Sequence, residues 1–272
     1  MNSRFLQRLN DALQERADQG LERHLPEASA DASCLNLANN DYFELASDPR
    51  LAEAACEAAE KWGTSSAASP LISGYGPAHA DLENALKAWF NTEHILIWNT
   101  GYAANLSILG MLPEKGDLVL ADRLIHNSMI RGIQQSGARL IRYPHLDLQK
   151  LDGLLQEHQH HQGTCFVVTE STFSMDGDAP DLQMIAELKK HHSFCWILDE
   201  AHALGWYGQT GGGIAEETGV LDEVDVLIGT FGKSLGSMGA FTVFRDELIV
   251  RYLLNVAGAF IYSTYLAPPC AA

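Results

Sequence analysis

Apolar side chains recur at Phe5, Leu6, Leu9, Ala12 and Leu13, the spacing of one helical face, and predict an amphipathic helix over 5–21. That helix stands outside the alternation that follows and reads as an N-terminal arm. Cys34-Leu35-Asn36-Leu37 reads as a short strand. Asp48 is placed to cap a helix over 49–62, with Pro49 at its first position. The stretch 63–77, rich in Ser, Gly and Ala, predicts a loop long enough to carry function. From His79 onward the pattern is regular. Helices are predicted over 79–90, 102–111, 127–136, 148–158 and 182–191. Strands are predicted over 94–98, 117–121, 139–143, 164–169, 194–198, 224–228 and 241–244. Strands alternating with helices of this length imply βαβ units, hence a three-layer α/β/α fold around a mostly parallel sheet. Residues 1–45 form the arm and short strand, and 46–272 one large α/β domain.

Ligands of such sheets bind at the carboxyl ends of the strands. The chemically unusual residues cluster at those places, in 99–102, 122–126, 170–178, 199–202 and 230–233.

Composition narrows the partners. The net charge of -17, from 18 basic and 35 acidic residues, argues against nucleic acid and anionic membrane surfaces. Five cysteines, an odd number without a CxxC pair, fit free thiols in a reducing compartment. The first eight residues hold no apolar h-region of a signal peptide, and no window approaches a membrane span. A cytoplasmic protein is expected.

Lys233 carries the sharpest chemical signal. It lies in Gly229-Thr230-Phe231-Gly232-Lys233-Ser234, just after an apolar strand, and Asp199 ends a neighbouring one. A lysine that holds pyridoxal phosphate (PLP) as a Schiff base, and an aspartate that keeps its pyridine nitrogen protonated, need this arrangement. An isolated lysine is ordinarily exposed; Asp199, His202 and Thr230 change that expectation. Thr100-Gly101-Tyr102 opens a helix after a strand, where free N–H groups favour a phosphate, although an ordinary turn has the same form. His126 would stack on a flat heteroaromatic ring or serve as acid or base; the plainer reading is a capping or surface histidine. Ser174, in the polar loop 170–178, is read as facing ligand. Asp199 and His202, three apart, can share a face. The string Asp199-Glu200-Ala201-His202 resembles a helicase motif, but no Walker A sequence accompanies it. His158-Gln159-His160-His161 lies in a polar helix-end loop without further ligands and argues for no metal.

Together the strings Asn40-Asp41-Tyr42, Ser73-Gly74-Tyr75, Gly101-Tyr102-Ala103-Ala104-Asn105, 122–126, 173–178, 199–202, 230–233 and Ile261-Tyr262-Ser263-Thr264 resemble the α-oxoamine synthases, fold-type I PLP-dependent transferases. The likeness is strongest to the branch that condenses L-alanine with pimeloyl-CoA, or a pimeloyl carrier protein, with loss of CO2 in biotin biosynthesis. A glycine C-acetyltransferase-like enzyme, a PLP-binding remnant without turnover and an ordinary aminotransferase are the other readings. The resemblance implies that Lys233 binds the cofactor and moves protons at the substrate α-carbon. It gives His126 the ring face, Asp199 the ring nitrogen and His202 the phenolic oxygen. Gly101, Tyr102, Ser174 and Thr230 would line the cofactor. Thr264 would reach the phosphate of a neighbouring subunit, implying a homodimer, and Arg23, with Arg16 as rival, would meet a carboxylate of the acyl donor. Two strings depart from the family pattern. Its glycine-rich stretch is Gly63-Thr64-Ser65-Ser66-Ala67-Ala68-Ser69-Pro70 here, and its His-Asn-Asp is His145-Leu146-Asp147. Family chains continue past the Pro268–Ala272 stretch into a small domain, which is expected to be lacking here.

Overall fold

The structure, a computed structural model, describes residues 3–26 and 36–272. It forms two compact units, Met1–Ala38 and Asn39–Ala272. In the first, the expected amphipathic helix is α1 (Ser3–Asp18). Cys34 and Leu35 of the expected short strand lie outside the described residues, and Asn36 and Leu37 are not in a strand.

The second unit is built on a seven-stranded sheet: β1 (Ile95–Trp98), β2 (Leu118–Asp122), β3 (Arg139–Tyr143), β4 (Cys165–Glu170), β5 (Cys195–Asp199), β6 (Val226–Thr230) and β7 (Ala240–Phe244). The order is β1-β7-β6-β5-β4-β2-β3, and β7 alone runs antiparallel to its neighbours. Every residue of β1, β2, β6 and β7 is buried. Unbroken apolar runs are what a sheet covered on both faces selects, since neither side of a strand meets water. The edge strand β3 differs: Arg139 and Arg142 are exposed, and such charges discourage pairing with another sheet. A buried indole is satisfied inside the sheet, where Trp98 Nε1 donates to Thr242 Oγ1 at 2.9 Å.

The covering helices are α2 (Pro49–Trp62), α3 (Pro77–Phe90), α4 (Gly101–Met111), α5 (Asn127–Ser136), α6 (Leu148–Glu157) and α7 (Leu182–His191), followed by α8 (Ile214–Glu217), α9 (Glu247–Val256), α10 (Gly258–Ile261) and α11 (Pro268–Ala271). Asp48 caps α2 as its sequence foretold, accepting from Arg50 N at 2.8 Å. Helices α4 and α5 approach closely because of Gly132. A Cβ there would lie 2.9 Å from Leu109 Cβ and 3.1 Å from two α4 carbonyl oxygens.

Three features differ from expectation. The strand expected over 224–228 begins two residues later, at Val226, because Asp225 is spent on bridging: its carboxylate accepts from Trp196 N and Lys189 Nζ, both at 2.6 Å. Helix α9 went unrecognised, although Asp246 is a capping residue and accepts from Leu248 N at 2.7 Å. The loop 63–77 contains a wide turn over Pro70–Gly74 and is tied down. Ser66 Oγ donates to Leu266 O at 2.6 Å, and the buried His79 bridges Gly76 N and Leu266 O.

Candidate active site

All five clusters named from sequence follow the carboxyl ends of strands, and all five supply residues to one cavity of about 180 Å3, the turn after β1 through the start of α4. Gly101, Tyr102, His126, Asp199, His202, Thr230 and Lys233 line it together. A larger opening, of about 950 Å3, sits by Cys165 and Cys195, the amino ends of β4 and β5, and holds none of the site residues. The smaller one is the candidate site, because strand carboxyl ends and helix amino ends converge there.

Each side chain is placed by a local device. Thr100 caps α4, accepting from Ala103 N at 3.0 Å. The N–H groups of Gly101 and Tyr102 in that first turn have no partner within the helix and suit an anion. Asp199, 6% exposed, is held by two donors: Asn105 Nδ2 at 2.9 Å and Ala201 N at 2.9 Å. His202 faces Lys233, with Nε2 2.6 Å from Nζ, while its Nδ1 lies 2.7 Å from the Tyr42 hydroxyl. Thr230 Oγ1 donates to Gly239 O at 3.0 Å and accepts from Gly232 N at 3.1 Å, so this hydroxyl shapes the Lys233 loop. His126 unites two sequence readings: it caps α5, accepting from Ser128 N at 3.3 Å, and lines the cavity. Its own N–H donates to Glu170 Oε1 at 2.6 Å.

Burial sets the charges. It pulls the Lys233 amine below the usual lysine range, against the opposing pull of Asp199 and Glu170. It lowers His202 to about 4, helped by Lys233 whenever that amine is protonated, so the imidazole is neutral at pH 7. Burial, then the charge of Asp199, raises the Glu170 carboxyl, opposed by the His126 N–H and by Lys233. Beneath the site the wholly buried Glu200 is pushed up to about 7 by burial. It accepts from Ser171 Oγ, Ile214 N (3.1 Å) and Ala215 N (2.8 Å), anchoring the glycine-rich turn after β5.

Two residues of this unit named from sequence, Ser174 and Thr264, are not among the residues that line the cavity. Ser174 is exposed, in a turn closed by Gly177 N to Phe173 O (2.8 Å) and Phe173 N to Asp178 O (2.9 Å). Thr264 is exposed; its carbonyl accepts from Asn99 Nδ2 at 2.6 Å. Arg23 is an exposed residue of the first unit. Conversely, Tyr42, Asn105 and Glu170 had been given no individual role. Tyr42 and Asn105 do sit in quoted strings, but a contact across 160 residues leaves no local signal.

The sequence profile of the family described as aminotransferase class I and II matches residues 32–272. The chain belongs to this family. Within it, the chain is 45% identical over 271 residues to 8-amino-7-oxononanoate synthase of Trichlorobacter lovleyi, covering 97% of this chain and 69% of that protein. The corresponding protein of Pelobacter propionicus is 46% identical over 234 residues, covering 86% of this chain and 59% of its own. The chain thus spans roughly two thirds of these relatives' length. Among solved structures, Sphingomonas wittichii serine palmitoyltransferase superposes with a TM-score of 0.82 at 32% identity, covering 86% of this chain and 58% of that one. The 8-amino-7-oxononanoate synthase of Francisella tularensis gives 0.74 at 28% identity, covering 89% and 67%. The α-oxoamine synthase resemblance and the fold-type I architecture drawn from the motifs are thereby confirmed.

Proposed function

We propose that the chain is the PLP-binding large domain of an acyltransferase that condenses L-alanine with a pimeloyl thioester, of CoA or of a carrier protein, with loss of CO2. The observation that carries this reading is the shared cavity in which a buried amine, a buried carboxylate and a helix amino terminus meet. That donor set fits the group: an amine for its carbonyl, a carboxylate for its ring nitrogen and N–H donors for its phosphate. When bound, PLP supplies an electron sink for charge that develops at an amino acid's α-carbon.

The remaining chemistry belongs to the chain. Lys233 holds the cofactor and, with its basicity reduced by burial, exchanges a proton at the substrate α-carbon. Asp199, fixed by Asn105 and Ala201, presents negative charge to the ring nitrogen. The first turn of α4 would bind the phosphate through Gly101 and Tyr102, and His126 would lie against the ring. His202, neutral at pH 7, serves the phenolic oxygen. Thr264 would serve the partner's phosphate in a homodimer, Ser174 would serve the cofactor, and Arg23 the acyl donor's carboxylate. Identity of 45% to an 8-amino-7-oxononanoate synthase supports alanine and a pimeloyl donor over the serine chemistry implied by the name of the serine palmitoyltransferase neighbour. The acidic surface supports a protein that works away from nucleic acid and anionic membranes, in the cytoplasm. No helix among the described residues is long and apolar enough to cross a membrane.

The test is a visible spectrum of the chain with PLP. A cofactor band that needs Lys233 and shifts with L-alanine is expected, followed by CO2 release that needs both alanine and pimeloyl thioester. An identical band in Lys233→Ala, or release that proceeds without the thioester, overturns the assignment.

A further inference from the structure

The site contains a connected chain of three groups, of which the proposed chemistry uses only two. Tyr42 OH, His202 and Lys233 Nζ are linked by contacts of 2.7 Å and 2.6 Å through the two ring nitrogens of one imidazole. A neutral imidazole has one N–H donor and one acceptor nitrogen. With an uncharged Lys233 two arrangements satisfy both contacts, whereas a lysine ammonium, which only donates, would leave the second alone. In the first, Tyr42 donates to Nδ1, and Nε2–H donates to the lone pair of the lysine amine. In the second, Nδ1–H donates to the Tyr42 oxygen, and Nε2 accepts from Lys233.

The Tyr42 side of the imidazole favours the first. Tyr42 has one proton and two possible acceptors: His202 Nδ1 at 2.7 Å and Asn40 Oδ1 at 3.3 Å. The second arrangement sends that proton to the longer contact, past the usual length of an O–H hydrogen bond. A phenol is also a better donor than a neutral imidazole N–H, and an imidazole nitrogen a better acceptor than a phenol oxygen. Packing holds the phenol in place. The Asp41 carboxylate accepts from Leu45 N (2.9 Å) and Ala46 N (3.0 Å), closing the turn that bears Tyr42. That turn is seated on the Lys233 loop: Gly236, with φ of +66°, has no room for a Cβ, which would lie 2.6 Å from Ala46 N.

We infer that Tyr42 is a positioning residue that fixes the tautomer of His202, so that Nε2 carries the ring proton and donates to an uncharged Lys233. Only an amine with a free lone pair can attack a carbonyl. Tyr42, on a turn remote in sequence, thereby keeps the lysine in its reactive form. The consequence for cofactor capture rests on the function proposed above; the tautomer does not.

The experiment is two-bond 1H–15N correlation NMR of the histidine-labelled chain without cofactor, with His202→Gln to assign the resonances. Wild type is expected to show a pyridine-type Nδ1 and a protonated Nε2. Tyr42→Phe is expected to lose the pure Nε2–H signature, and Asn40→Ala, which removes only the competing acceptor, to retain it. A wild-type His202 protonated at Nδ1, a Tyr42→Phe spectrum unchanged from wild type, or a proton that moves in Asn40→Ala overturns the inference. Failure of the cofactor reading would register separately, in the Lys233-dependent absorption band. A Tyr42→Phe chain that did not fold would leave the wild-type and Asn40→Ala spectra to decide.

Discussion

Removing Asn105 should loosen Asp199, and the size of the effect follows from the contacts. Asn105 Nδ2 lies 2.9 Å from Asp199 Oδ2, and the two residues are only 3% and 6% exposed. A hydrogen bond to a charged group contributes roughly 1.5–3 kcal/mol. The single variant Asn105→Ala will show less than that. Asn105 Oδ1 is buried without a partner, and deleting it returns a desolvation cost of about 1–3 kcal/mol. A double-mutant cycle with Asp199→Ala removes this offset, because the orphaned oxygen disappears along both edges that delete Asn105. The charge between Asp199 and Glu170 cancels in the same way. The coupling energy is therefore expected at about 1.5–3 kcal/mol, read from urea unfolding of the four chains without cofactor. Independent sites add within about 0.5 kcal/mol. A coupling below that value would falsify the claim that Asn105 holds the carboxylate, and with it the account of how the ring-nitrogen partner is aimed.

Two further outcomes test other parts of the structure. Ala67 has φ of +52°, in the stretch where the family pattern has glycines. The left-handed conformation costs an L-residue about 1–2 kcal/mol, partly offset by the greater freedom of glycine in the unfolded chain. Ala67→Gly should therefore raise Tm by about 1–4 °C, and a lowered Tm would refute the strain. His145 bridges Asp122 (2.8 Å) and Asp178 (3.1 Å). Burial lowers its basicity, but the hydrogen bonds and charges of Asp122 and then Asp178 outweigh that, and the net shift is upward. A raised folded value means that the bridge stabilises fully below the ordinary histidine range and fades as pH rises through the raised value. The stability difference between wild type and His145→Gln should thus shrink from about pH 5 to about pH 9; a constant or growing difference would exclude a charged bridge.

Much of this protein was legible because its signals are local. Runs such as Trp196-Ile197-Leu198 are apolar on both sides, and only a sheet covered on both faces accommodates that. Capping residues such as Asp48 and Thr100 act within three residues of themselves. A lysine in a loop of Gly, Ser and Thr after one strand, and an aspartate ending the next, meet by the strand-end rule of parallel sheets, so Lys233 and Asp199 were found without coordinates. Helix α9 was equally local, with Asp246 as its cap, and lay outside the expected elements.

The rest was decided by contacts between segments distant along the chain, which leave no periodic trace. Tyr42 meets His202 across 160 residues, and Asn105 meets Asp199 across 94. Ser174 belongs to a polar loop that composition alone assigns to a site; only the fold shows that it is exposed, in a turn closed by two backbone hydrogen bonds. Leu146 shows the division most clearly. Its sequence marks only a departure from His-Asn-Asp, where asparagine tolerates a left-handed backbone. The fold nonetheless holds leucine at φ of +57°, because Leu146 N must reach Asp122 Oδ2 at 2.9 Å. Sequence determined the sheet, most of its helices and the lysine and aspartate of the site, since each follows from periodicity or from position at a strand end. Tertiary structure decided which groups orient those two and where the backbone is strained, because both depend on neighbours that only packing brings together.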